Sequence, residues 1–144
     1  MTCMNRIGWC ALLGLALSLA ARVAPADVVA VVASTSTITT LSKEQLTDIF
    51  LGKVSRFPNG TRAAPIDQEE GSPARDEFYA TYAGKSPAQM KSHWAKIIFT
   101  GRGQPPKAVS NSIEARKLIA ANPQAISYIE RSALDGTVRI VTPP

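Results

Sequence analysis

The chain has 144 residues, with 16 basic and 11 acidic side chains, a single histidine and two cysteines. This length bounds the protein to about one domain. Both cysteines, Cys3 and Cys10, lie near the N-terminus, so a single histidine leaves little to build a zinc site, and no nucleophile–base pair is recognisable around it. No stripe of basic residues interleaved with aromatic residues is found, which argues against a nucleic-acid partner. We therefore expect no enzyme, no metal and no cofactor.

The first 26 residues predict a secretory signal peptide. Arg6 supplies the positive start, residues 7–21 form an almost uninterrupted apolar run, and Ala24-Pro25-Ala26 has the small-x-small pattern of a cleavage site. The run is shorter than the roughly 20 residues that a membrane-spanning helix needs, so a cleaved signal is favoured over a retained anchor. We expect residues 27–144 to form the exported protein, beginning at Asp27.

Removal of this segment changes the composition. Arg6, Arg22 and both cysteines leave with it, so the mature chain has 118 residues, 14 basic and 11 acidic side chains, and a charge of +3. Without thiols it can form no disulfide, so an exported domain of this kind must be stabilised by its core. The small positive balance suits an anionic partner.

The mature sequence alternates strands with helices. Val28-Val29-Ala30-Val31-Val32 is a continuous apolar run, typical of a strand buried on both faces, as in a parallel sheet. Further strands are predicted at 63–67, 125–129 and 138–141. Helix starts are predicted at Ser42, Ser72 and Ser86, and at one of Ser110, Asn111 and Ser112. The alternation predicts an α/β fold, a single compact lobe with a mixed or mostly parallel sheet flanked by helices.

Helical spacing assigns the large apolar side chains to the core rather than to a ligand-stacking surface. The helix that begins at Ser72 is expected to bury Ala74, Phe78 and Tyr82, with Tyr79 beside them. The next helix is expected to bury Met90, Trp94, Ile97 and Ile98. His93 lies next to that stripe and is expected at a boundary.

Gly71-Ser72-Pro73-Ala74-Arg75 is the strongest candidate site. Ser72 is placed to cap a helix, and Pro73 suits the first helical position because its missing N–H costs nothing there. Free N–H groups and the positive end of the helix dipole would meet at Gly71 and Ser72, and Arg75 could add a charged fork. This arrangement predicts an oxyanion site, although Ser72 as a plain cap explains the same residues.

A second hydroxyl-rich stretch follows the first strand. Ser34, Thr35 and Ser36 could contribute to an oxyanion site, or they could form a solvated turn. Residues 100–106 offer a weaker Gly-x-Gly signal around Arg102. Asp67, Glu69 and Glu70 could be imagined as a cation site, but three acids beside a turn are more often a solvated edge.

Several of these motifs together resemble phosphate-binding proteins, the receptors of ABC-type phosphate uptake. The resemblance begins with Leu41-Ser42-x-x-Gln45-Leu46-x-x-Ile49-Phe50-Leu51-Gly52-Lys53 and Phe57-Pro58-Asn59-Gly60. It continues with Gly71-Ser72-x-x-Arg75-x-x-Phe78, then Trp94 and Ile98-Phe99-Thr100-Gly101, and ends with Asn122-Pro123-x-Ala125-Ile126-x-Tyr128. It covers nearly the whole mature chain.

The resemblance implies a type II periplasmic binding-protein fold, in which two α/β lobes close on a phosphate held by hydroxyls, N–H groups and an arginine. Ser72 and Arg75 match that signature best. Pro73 and Ala74 stand where the family tends to have glycine and threonine, which removes one N–H and one hydroxyl. The full receptors are more than twice this size, so this chain resembles one lobe, and one lobe cannot perform hinge closure.

We therefore expect a periplasmic, non-catalytic protein that binds phosphate or a similar oxyanion at Gly71, Ser72 and Arg75, with Ser34, Thr35 and Ser36 as further contributors. Its partners would be an ABC transporter or an envelope complex, and two copies could form a homodimer. The alternative is an interaction module of the periplasm or envelope that keeps the fold without binding a ligand.

Overall fold

The computed structural model describes residues 27–141, and the predicted signal peptide lies outside them. Within that range the strands are β1 Val28–Ala33, β2 Ala64–Gln68, β3 Lys107–Val109, β4 Ala125–Glu130 and β5 Val138–Ile140. The helices are α1 Lys43–Phe50, α2 Pro73–Phe78, α3 Pro87–Phe99 and α4 Ser112–Ala121. A π-helical turn, Tyr79–Ala83, continues α2, and a 3₁₀ turn, Arg131–Ala133, follows β4.

The five strands form one mixed sheet in the order β3-β2-β4-β1-β5. The β2 strand runs parallel to both β3 and β4, whereas β1 runs antiparallel to both β4 and β5. The predicted α/β fold with a mixed sheet flanked by helices is confirmed. The short edge strand β3 was not predicted, because its three residues are partly exposed and show no alternation of apolar and polar side chains.

Helices cover both faces of the sheet. On one face α1, α2 and α3 pack against Val28, Ala30 and Val32, and on the other α4 packs against Val29 and Val31. Alternate side chains of β1 therefore enter different apolar layers, which explains its unbroken apolar run. The expectation of burial on both faces is confirmed, although the strand is antiparallel to its neighbours.

Local capping chemistry sets the helix starts. Ser42 and Ser86 each form a capping box with the glutamine three residues on, and Asn111 caps α4. In the described residues no helix is both long enough and apolar enough to cross a membrane. One core assignment is wrong: Ile98 is 48% exposed, because the buried side of α3 ends at Ile97.

Replacement of Gly52 tests how closely α1 and α3 pack. Its φ is +74°, and a Cβ there would lie 3.0 Å from Cη2 of Trp94. We expect Gly52→Ala to lower the free energy of unfolding by about 2–3 kcal/mol in urea denaturation, since backbone strain and a close contact add.

Gly60→Ala is the matched control. Gly60 has a similar φ of +85°, but a Cβ would meet no atom within 4 Å. It should therefore show the backbone cost alone, about 1–2 kcal/mol. Equal losses in the two variants would contradict close packing of Trp94 on Gly52.

Candidate functional site

The candidate site lies where β2, β3 and β4 end. Because these strands are parallel, their carboxyl ends meet at one edge of the sheet. The turn Gly71–Ser72 follows β2, Asn111 and Ser112 follow β3, and Glu130 ends β4. This edge is the usual place for ligands in open α/β sheets.

Ser72 caps α2 as the sequence predicts. Its Oγ accepts a hydrogen bond from the Arg75 N–H at 3.4 Å, and Pro73 occupies the first helical position. Gly71 precedes the cap with a φ of +92°, a conformation that favours glycine. The Ser72 hydroxyl also donates to Oε1 of Gln68 at 2.8 Å, so within the protein it is both a hydrogen-bond donor and an acceptor.

A buried carboxylate, Asp67, organises the side chains beneath this turn. It is 3% exposed and accepts hydrogen bonds from the hydroxyls of Tyr79, at 2.7 Å, and Tyr128. Arg75 Nε lies 3.5 Å from Oδ2 of Asp67, the oxygen that also accepts from Tyr79, and the guanidinium lies over the Tyr79 ring. Four groups, counting the Gln68 N–H, therefore satisfy this charge. A buried charge needs such partners to be tolerated.

Both tyrosines act as donors to Asp67. Burial, followed by the charge of Asp67, raises the pKa of Tyr79 and of Tyr128 far above the usual range. Both hydroxyls therefore keep their protons throughout the physiological pH range. The rings of Phe78 and Tyr128 stack at 4.1 Å, so α2 packs directly on β4 at this edge.

Gln68 extends the network to β3 and β4. Its Nε2 donates to the Ser112 hydroxyl at 3.1 Å and to the Tyr128 carbonyl at 3.3 Å. Ser112 Oγ also accepts the backbone N–H of Glu130 at 3.1 Å. Three chain segments that are distant in sequence are thus joined by side-chain hydrogen bonds at the same edge.

The guanidinium of Arg75 retains donors at this edge. In residues 27–141 its one hydrogen bond runs from Nε to Asp67, which leaves both Nη groups without a protein partner. The side chain is 11% exposed, and neither Nη is among the buried polar atoms that lack a partner. Both Nη groups therefore keep some contact with solvent, in the fork geometry that suits an oxyanion.

Acidic residues flank this arginine in the sequence, and their charges oppose anion binding. Glu69 and Glu70 are exposed next to Gly71, and Oδ1 of Asp76 is buried without a donor in the described part of the chain. Partial burial, together with the nearby carboxylates of Asp27 and Glu130, raises the pKa of Glu77. An anion at Arg75 must therefore overcome local negative charge.

The second predicted group lies elsewhere. Because β1 runs antiparallel to β4, its carboxyl end lies at the opposite edge of the sheet from Ser72. There Ser34 and Thr35 are exposed, and the Ser34 N–H donates to the Thr137 carbonyl at 3.0 Å. Ser36 is buried, its Oγ accepts the Ile38 N–H, and its carbonyl accepts a hydrogen bond from Arg139. The structure brings Gly71, Ser72 and Arg75 together, but not with Ser34, Thr35 and Ser36.

The residues that support Arg75 could not be recognised from the sequence. The sequence suggested a solvated edge or a cation ligand for Asp67, a core position for Tyr79, and only a place in the resemblance motif for Tyr128; the solvated edge is wrong for Asp67, which is 3% exposed. One local signal was present, because Asp67 and Gln68 are polar residues at the end of a strand that the pattern places inside the sheet. The partner Tyr128 lies 61 residues away, which no local pattern could reveal.

No protein-family model matches this chain, and no curated protein matches it by sequence. Its fold matches solved structures of phosphate receptors. An ABC-type phosphate transport receptor from Vibrio cholerae matches with a TM-score of 0.63 and 19% identity, over 80% of this chain and 45% of that one. A putative phosphate ABC transporter substrate-binding protein with bound phosphate, from Clostridium perfringens, matches with a TM-score of 0.64 and 20% identity, over 80% of this chain and 44% of that one. A possible phosphate binding protein from Planctomyces limnophilus matches with a TM-score of 0.61 and 14% identity, over 81% of this chain and 41% of that one.

These matches confirm the expected resemblance at the level of the fold. This chain has the fold of a single domain of a periplasmic binding protein, and it spans less than half the length of each of these receptors. All three are described as receptors or binding proteins rather than enzymes. At identities of 20% or less these structural matches establish the fold of this chain, but not its ligand.

Replacement of Asp67 tests whether the buried network holds this edge together. Asp67→Asn removes the charge that Arg75 and two tyrosine hydroxyls surround, and leaves the charge of Arg75, whose side chain is only 11% exposed, without its carboxylate partner. We expect a loss of about 3–5 kcal/mol in the free energy of unfolding, measured in urea.

Asp48→Asn is the matched control. Asp48 pairs with Lys53 at 3.3 Å, but that lysine side chain is 61% exposed. Its replacement should cost about 1 kcal/mol or less, because surface ion pairs contribute little. If the two variants lost the same stability, Asp67 would not organise the edge.

Proposed function

We propose that this chain is an exported, non-catalytic binding protein that takes phosphate or a similar small oxyanion at Gly71, Ser72 and Arg75. The observation that carries the proposal is the pair of Arg75 Nη groups that have no protein partner in residues 27–141, on a guanidinium held by Asp67 and Tyr79. An arginine fixed by a buried carboxylate presents its remaining donors in one orientation, so less entropy is lost when an oxyanion binds.

The proposed site uses one edge of the sheet. Gly71, Ser72 and Arg75 converge there, whereas Ser34, Thr35 and Ser36 lie at the other edge and are left out of it. The fold supports the proposal, because solved structures with this fold are described as phosphate receptors. We also propose that phosphate is the ligand, that an ABC transporter is the partner, and that the protein is periplasmic.

The site would bind weakly by itself. Pro73 has no N–H, Ala74 has no hydroxyl, and the Ser72 Oγ is engaged with Gln68 and Arg75. Phosphate needs many donors to offset its desolvation, so a half-open site should bind in the micromolar-to-millimolar range, roughly −4 to −8 kcal/mol. A second copy or a partner protein that covers the edge would supply further donors.

The same observations favour a second candidate function. Because the hydroxyl of Ser72 and the charge of Arg75 already have partners inside the protein, the edge is stable without a ligand. The chain could then serve as an interaction module of an envelope complex that keeps the receptor fold. The two candidates differ in whether phosphate stabilises the native protein.

Phosphate should raise the thermal stability of residues 27–144. With a Kd of about 1 mM, a concentration of about 20 mM phosphate stabilises the native state by roughly 1.8 kcal/mol, which is a rise of about 7 °C in Tm. Sodium chloride at equal ionic strength provides the baseline. Absence of a shift beyond that baseline would reject the binding proposal in favour of the interaction module.

Arg75→Lys should reduce this shift to the salt baseline. Lysine keeps a positive charge near Asp67 but lacks the Nη fork, so the fold is retained while the anion contact is lost. Lys107→Ala, on the exposed edge strand β3, should leave the shift unchanged. A full phosphate shift in Arg75→Lys would show that the anion binds elsewhere.

Export predicts a defined N-terminus. When the full chain is expressed in a bacterium with a signal peptidase, intact-protein mass spectrometry should find a product that begins at Asp27. Retention of residues 1–26 in a membrane fraction would support the anchor alternative and contradict cleavage.

A further inference from the structure

The charges of the mature chain are strongly segregated. Residues 85–107 contain five basic residues, one histidine and no acidic residue, although they form less than a fifth of the mature chain. The remainder of the mature chain holds nine basic and eleven acidic residues, so its net charge is −2. The basic residues of this acid-free segment are Lys85, Lys91, Lys96, Arg102 and Lys107.

The segment is built around α3, which is attached along a single side. Met90 and Trp94 are buried, and Ile97 is partly buried against the same apolar layer. With 3.6 residues per turn, Ala88, Ser92, Ala95 and Phe99 fall on the opposite side of the helix, and all four are exposed. Lys91 and Lys96 flank that outer stripe, one on each side. We call this outer stripe with its flanking lysines the α3 face.

Phe99 marks the end of the α3 face. It is 92% exposed and the neighbouring Ile98 is 48% exposed, so residues 27–141 leave almost all of Phe99 and about half of Ile98 uncovered. A large apolar side chain left in water at this fraction carries a cost that a partner would remove. Lys96 and Arg102, which bracket Phe99 in sequence, line one cavity of about 350 Å³ together with Lys53 and His93.

The basic side chains of the α3 face, and Arg102 just beyond its C-terminal end, are unpaired or only weakly paired in the described residues. Lys96 and Arg102 make no ion pair within the described part of the chain. Lys91 lies 3.8 Å from Glu70, with both side chains well exposed, which is a weak surface pair. The partner that this face fits is therefore anionic, and it accepts one or two apolar side chains.

We propose that the α3 face docks the protein in plane on an anionic lipid bilayer. A helix with an exposed aromatic tip, small residues along its outer side and lysines on both flanks suits the lipid headgroup region. A protein partner would require a buried interface with an apolar centre, and two apolar side chains at a convex helix end do not provide one. Reversible membrane attachment needs only a small apolar anchor plus several charges. A second copy is disfavoured, because two α3 faces would repel each other.

Vesicle sedimentation tests the proposal with residues 27–144, which contain every helix and strand of the described fold. Vesicles with about 30% phosphatidylglycerol in phosphatidylcholine should bind the protein, and pure phosphatidylcholine vesicles should bind it at least about tenfold more weakly. Raising sodium chloride from about 50 to 500 mM should release it, since screening shortens the range of the attraction. Trp94, the one tryptophan of the mature chain, gives an independent fluorescence signal for changes near the α3 face.

Three variants separate the contribution of the apolar side chain of Phe99 to vesicle binding from that of the basic residues Lys96 and Arg102. Phe99→Ser should weaken binding at least about fivefold, and Lys96→Glu and Arg102→Glu should each weaken it at least about fivefold, because each basic residue near an anionic surface contributes a factor of this size. Matched controls lie on α4, on the opposite face of the sheet: Ile113→Ser, at a residue that is 49% exposed, and Lys117→Glu.

The controls should bind like the unaltered protein. Equal binding to neutral and anionic vesicles would overturn the proposal, and so would loss of binding in the α4 variants to the same extent as in the α3 variants. Failure to bind either kind of vesicle would also overturn the proposal. It would favour an acidic protein surface as the partner of the α3 face. Arg75→Lys should bind vesicles normally, so this test and the phosphate test fail independently.

Discussion

The structure depends on one buried carboxylate. Asp67 ends β2 inside the sheet, and its charge is tolerated because two tyrosine hydroxyls, a backbone N–H and Arg75 surround it. The same contacts draw α2 onto β4 and position the arginine at the solvent edge. Stability and the proposed binding site therefore have a common origin: the group that offsets the buried charge is the group that offers donors to an anion.

Features that depend on neighbouring residues could be predicted from the sequence. The N-caps Ser42, Ser72 and Ser86 bond to groups three residues away, so their patterns are complete within one turn. Four of the strands were predicted from apolar runs. The direction of β1 and the edge strand β3 were not, because pairing direction depends on connections across the sheet and β3 has too few buried residues to form a pattern.

The candidate site was predictable only in part for the same reason. Gly71, Ser72 and Arg75 form a local motif, but Tyr128 reaches Asp67 across 61 residues. The separation of Ser34, Thr35 and Ser36 from that motif also follows from the antiparallel pairing of β1 with β4. Burial of Ile98 was overestimated, because helical spacing identifies a side of α3 but not how far the core extends along it.

The central claim is that Arg75, fixed by Asp67, receives an oxyanion through its Nη groups. A crystal structure of residues 27–144 grown in phosphate tests it most directly. We expect a phosphate with oxygens within about 3.2 Å of the Arg75 Nη atoms, while Nε stays directed at Asp67. A structure in which the anion lies elsewhere, or in which Arg75 Nη atoms bind only water at saturating phosphate, would contradict it.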